Sequence, residues 1–112
     1  SKEDQLAIKI AKSSSYNEMM RNSKLIADQI KKYKSDSSLT NQYKNLDSVQ
    51  QRDSMLKYLF RTDSFSNASF KMSEATKKMK QDFSEITSLD PESRKKVLQK
   101  AAALWLKENQ IK

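Results

Sequence analysis

A chain of 112 residues with no Cys and no His has no thiol nucleophile, disulfide or iron–sulfur ligand, and it lacks the commonest general base and zinc ligand. It also has no Gly, the residue that hairpin turns, β-bulges and phosphate-cradling loops rely on, so an all-α fold is expected whose helices stop by other means. The net charge of +8 is spread evenly, with 11 basic and 7 acidic groups in residues 1–60 and the same numbers in 61–112, and it comes from 18 Lys against 4 Arg. Readers of nucleic acid concentrate their positive charge and favour Arg, so specific nucleic-acid binding is disfavoured.

Only 36% of the residues are hydrophobic and the mean hydropathy is −0.91, close to compositions that stay disordered. The apolar residues are nevertheless periodic, which predicts a single helical domain, residues 1–112, with a thin core that gains stability from self-association or a partner. No apolar run reaches the roughly 18 residues of a membrane span. The polar opening Ser1-Lys2-Glu3-Asp4 suits a mature or a trimmed chain, an export signal or lipidated Cys removed upstream would leave no mark in it, and an exported or cell-envelope setting is slightly favoured over the cytoplasm.

Residues 4–12 read as a short helix, with Leu6 and Ile10 on one face and Ala7 and Ala11 beside them. Ser13-Ser14-Ser15 interrupts it, and Ser15 with Glu18 has capping-box spacing, so a new helix is expected near Tyr16. In residues 16–34 the seam Tyr16, Met19, Ser23, Ile26, Ile30, Tyr33 is spaced 3, 4, 3, 4, 3. Ser35-Asp36-Ser37-Ser38 is the next loop. Residues 39–61 read most simply as one helix with Leu39, Tyr43, Leu46, Val49, Leu56 and Phe60 on one face. Asp47 with Gln50 offers a second capping box, and a break there would let Met55 and Leu59 point inward. After Thr62-Asp63-Ser64, residues 65–88 carry the most regular seam, Phe65, Ala68, Met72, Ala75, Met79, Phe83, Ile86.

The last helix starts at Asp90-Pro91-Glu92, where an N-cap carboxylate, a first-turn Pro and an acidic first turn coincide. At about 100° per residue, Val97, Leu98, Ala101, Ala102, Leu104 and Trp105 share its apolar face, with Trp105 as the anchor. The expected architecture is a small antiparallel bundle of four main helices plus a short N-terminal helix across one end. Its centre would be the helices of 65–88 and 90–108, packed across the Asp90-Pro91 turn.

No enzyme activity, cofactor or metal is expected. Asp47, Asp53, Asp82, Glu85, Asp90 and Glu92 are the carboxylates to weigh, but Asp90 and Glu92 are better explained as capping residues and Asp82 and Glu85 sit among lysines. Asp53, near the apolar face between Val49 and Leu56, is either paired with Arg52, Arg21 or Arg94 or stands in water at the bundle margin. Off-face apolar residues point instead to an interaction surface of Leu25, Tyr58 and Phe70, joined by Leu106 and Ile111 if the last helix is fully docked. Phe70 falls about 140° from the Phe65 seam. Lys96, Lys100 and Lys107 form a stripe that would contact anions if it is more than a solvated face. The function expected is therefore a non-catalytic interaction or structural module for an unknown protein partner or for itself. Electrostatic binding to nucleic acid or anionic membrane through lysine-rich faces is the alternative.

Overall fold

The computed structural model describes residues 1–110. It is an all-α small bundle in which helix pairs pack against each other. The helices are α1 (Lys2–Lys12), α2 (Ser14–Ser35), α3 (Ser37–Thr40), α4 (Ser48–Leu59), α5 (Asp63–Asp82) and α6 (Pro91–Glu108), with 3-10 turns at Asn41–Tyr43 and Ser84–Ser88. No described helix is long and apolar enough to cross a membrane.

The missing Gly has a visible consequence. No described residue has a positive φ, so the left-handed cap that ends many helices is absent among them. Extended residues stop α1 and α2 instead, whereas α4 and α6 run out into Phe60 and Asn109, neither of which is extended. Ser13 (φ −75°, ψ 149°) closes α1, while its Oγ accepts from the Tyr16 N–H at 3.2 Å and opens α2. The cap predicted at Ser15 therefore lies two residues earlier, and Ser15 is buried with its Oγ donating to the Asp82 carboxylate at 3.0 Å. Asp36 (φ −89°, ψ 102°) stands between α2 and α3 and accepts from the Ser38 N–H. The four-residue serine loop thus narrows to one residue.

The Asp47–Gln50 capping box is formed on both sides. It breaks residues 39–61, which were expected as one helix, into α3, a 3-10 turn and α4. The break re-phases the apolar face. Val49 is 66% exposed and Phe60 49% exposed, whereas Leu59 is buried at 5% and Met55 packs beside it. Replacing Asp47 with Ala removes the N-cap acceptor and is expected to cost about 1 kcal/mol. Urea unfolding followed by circular dichroism measures it, and an unchanged midpoint would show that the box contributes nothing.

The seam of 65–88 holds in phase, but its helix does not run through. Phe83 (φ −125°, ψ 55°) ends α5 and a 3-10 turn follows; Ile86 still reaches the core. In α2, Asn22 takes the buried position that the spacing assigned to Ser23.

The residues form two compact units, Ser1–Met20 with Ser73–Lys112 and Arg21–Met72. In the first, Ala7, Ile10, Tyr16, Met79, Ile86, Val97, Ala101 and Trp105 make the buried cluster. Ala7, Ile10, Val97 and Ala101 have no exposed surface at all. The expected placement of the N-terminal helix across one end is corrected here. Asp4 meets Lys100, and Ala7 and Ile8 line a groove with Ala103 and Leu104. The matching advance along both helices sets α1 and α6 side by side in the same sense. Ala at positions 7 and 101 lets the two backbones approach. α1, more than α5, is thus the close partner of α6, and this narrows the face of α6: Leu104, expected inside, is 37% exposed. In the second unit Tyr33, Leu59 and Phe65 are buried, with Ile26, Ile30, Leu39, Met55 and Tyr58 packed around them.

Candidate functional site

The second unit holds an open cleft of about 500 Å³ where α2, the α3 corner and α4 meet. Its apolar body comes from Ile30 and Tyr33 of α2, Tyr43 of the 3-10 turn, and Met55 and Leu56 of α4. Thr40, Ser48 and Gln51 add polar groups, and Lys34 and Arg52 are its charged residues. No Asp or Glu lines it among the described residues. Local chemistry builds this shape. Asp36 stops α2 just past Tyr33 and Lys34, and the Asp47 cap starts α4 at Ser48. The Gln51 amide donates to the Leu46 carbonyl at 2.8 Å, holding the entry to α4. Had residues 39–61 stayed one helix, Tyr43 and Met55 would sit on a straight rod and no corner would form. Burial, with Tyr43 and Tyr58 nearby, pushes the Tyr33 phenol above its ordinary pKa, so it remains a neutral hydroxyl through the physiological range.

The Leu25, Tyr58 and Phe70 set is placed unevenly. Leu25 is 53% exposed and Phe70 67% exposed. Tyr58 is half-buried, its ring 5.5 Å from that of Tyr33 and with the Arg61 guanidinium 5.0 Å from the ring centroid. It is thereby engaged with the core of the second unit. Leu106 is exposed, and Ile111 lies outside the described residues.

No family model, curated protein or solved structure matches this chain. Its own geometry is therefore what speaks to function.

Of the lysine stripe, Lys96 and Lys107 are exposed, whereas Lys100 is bound to Asp4. Hydrogen bonding to Lys100 is the main reason that the Asp4 carboxyl lies below its usual range, and the same bond raises Lys100. The signs give a pH window. A lowered Asp4 contributes stability above its unfolded pKa and loses it as pH falls through the folded value. A raised Lys100 contributes below its unfolded pKa and loses it as pH rises through the folded value. The Asp4–Lys100 pair between α1 and α6 thus holds across neutral pH and weakens at both extremes. Thermal melts of Asp4→Asn against the parent are expected to differ at neutral pH and to converge only at a pH below the ordinary Asp value of about 3.9. Curves separated by a constant interval down to that pH would show that the carboxylate charge plays no part.

The weighed carboxylates are spread over structural tasks. Asp90 accepts from the Ser93 N–H at 2.7 Å, and that backbone bond is the chief cause of its lowered pKa. Asp47 caps α4, and Asp82 takes the Ser15 hydroxyl and lies 3.8 Å from the Lys78 ammonium. Asp53 is exposed, in keeping with the reading that places it in water. Glu85 lines a second shallow groove with Lys2 and Leu6. Among the described residues no three of these groups stand together as a metal site would require.

Sequence reasoning missed the cleft. The Asp47–Gln50 box and the serine-rich stretch at 35–38 were its two signals, since together they confine a short segment between two helix ends.

Proposed function

We propose that this chain is a non-catalytic interaction module that presents helix faces to a protein partner or to a second copy of itself. The observation that carries this reading is Phe70. It is 67% exposed on the side of α5 turned away from Phe65 and Ala68, which are 2% and 4% exposed. Burying such a ring against a partner is worth about 1.5–3 kcal/mol, and in so polar a chain that is a large share of any association energy. Leu25, on α2, adds exposed apolar surface in the same unit.

Phe70→Asp tests it. The parent is expected to sediment faster as its concentration rises, or to retain a partner. The variant should do neither, with circular dichroism and melting temperature unchanged because the side chain is mostly exposed. A parent that stays monomeric at millimolar concentration, with partner capture equal in parent and variant, would reject Phe70 as the contact.

The electrostatic alternative rests on Lys96 and Lys107 and on the overall charge of +8. It ranks second because Lys100 is neutralised by Asp4. It requires salt-sensitive retention on DNA or acidic vesicles, and no retention at low ionic strength dismisses it. An exported or envelope-bound setting belongs to the same proposal. It rests on composition alone, and a secretion or lipidation signal encoded upstream of Ser1 is the observation to seek.

A further inference from the structure

We infer that the cleft between α2 and α4 is a binding site for a small amphipathic organic anion, its apolar body against Tyr33, Tyr43, Met55 and Leu56 and its carboxylate or equivalent head at Lys34 and Arg52. Three independent features converge on this class. The volume, about 500 Å³, lies within the span of small-molecule sites, roughly 300–1,000 Å³. The lining is apolar and aromatic in its body with few polar groups, which is the composition that buries a ligand and orients one end of it. Both charged residues in it are cations, one contributed by each of the two helices, and no carboxylate among the described lining residues offsets them.

The charge selects among amphiphiles. A cationic or zwitterionic head would place positive charge beside Lys34 and Arg52, whereas an anionic head neutralises both. Arg52 offers a planar fork suited to a carboxylate, and Lys34 adds a mobile ammonium. The neutral Tyr33 hydroxyl is able to donate. The apolar groove of the first unit, lined by Ala7, Ile8, Ala103 and Leu104, supplies a contrast inside the same molecule: its Lys100 is already held by Asp4, so it has no free cation to prefer an anion.

Decanoate and decyltrimethylammonium, each below its micelle concentration, are matched probes. In amide-resolved NMR titrations of the whole chain, decanoate is expected to give saturable shifts at Thr40, Gln51, Arg52 and Met55. The cationic probe should bind about tenfold more weakly there. Octanoate, two methylenes shorter, should also lose about tenfold. Lys34→Glu with Arg52→Glu should reverse the preference between the two probes, and Lys34→Gln with Arg52→Gln should abolish it. Both positions are exposed, so melting temperature should stay within a few degrees of the parent. Phe70→Asp should leave decanoate binding unchanged, which separates this site from the protein-contact proposal. Equal affinity for the two probes overturns the inference, as do shifts centred on Ala103 and Leu104 or the absence of saturation. An acidic peptide filling the cleft where decanoate does not would also overturn it.

Discussion

Trp105→Ala is expected to destabilise the chain by about 3–5 kcal/mol, the usual cost of emptying a buried aromatic site. Small domains hold only about 5–15 kcal/mol in total, so the variant should be close to unfolded at 37 °C. Two contributions combine. The indole is 5% exposed and packs in the cluster that joins α1, α2, α5 and α6. Its Nε1–H also donates to Asn17 Oδ1 at 2.9 Å, tying the end of α6 to the start of α2. Trp105→Phe separates the two, since it keeps most of the apolar bulk but leaves Asn17 without that donor. It should cost about 1–3 kcal/mol. Urea unfolding by far-ultraviolet circular dichroism measures both. A loss under 1 kcal/mol for Trp105→Ala would mean that α6 is held mainly by something else.

Ile10→Ala is expected to cost about 2–5 kcal/mol, while Ile8→Ala should change stability by no more than about 0.5 kcal/mol. The two residues are alike in chemistry and two positions apart, yet Ile10 is 0% and Ile8 41% exposed. The comparison therefore tests the seating of α1 on α6 rather than the general value of an isoleucine. Ala101→Leu probes the same contact from the other side. Position 101 has no exposed surface, so added methylenes would push the helices apart at about 1–3 kcal/mol. If Ile8→Ala matched Ile10→Ala in cost, the rotational setting of α1 would be wrong.

These effects concern residues whose burial was readable in the linear order to different degrees. Trp105, Val97 and Ala101 follow one helical stripe, and a Pro-led helix start at Asp90 fixed its phase. The seam from Phe65 to Ile86 was readable because a 3–4 spacing survives a local change to 3-10 geometry: both keep side chains about three residues apart on one side. Leu46, Val49 and Phe60 were misjudged for the opposite reason. A capping box restarts the helix, and a restart rotates every later residue relative to the earlier ones. The signal for the restart, Asp47 with Gln50, was in view, but periodicity alone could not weigh one cap against an unbroken stripe. The site was less readable still. Phe70 and Leu25 stand out as apolar residues off a seam, while the cleft around Tyr43 exists only because two helix ends enclose a corner.

The amino-acid sequence by itself determined the helical class, since a chain without Gly lacks the means for tight hairpins and left-handed caps. It also determined the positions of the caps at Asp47 and Asp90 and the anchoring role of Trp105, because capping and amphipathic spacing are local properties. Only the tertiary structure decided which helices meet. Pairing of α1 with α6, capture of Lys100 by Asp4 and of Ser15 by Asp82, and the gathering of Lys34 and Arg52 at one cleft all join residues distant in the chain. Their energies depend on distance and burial, and neither quantity is written in the order of the residues.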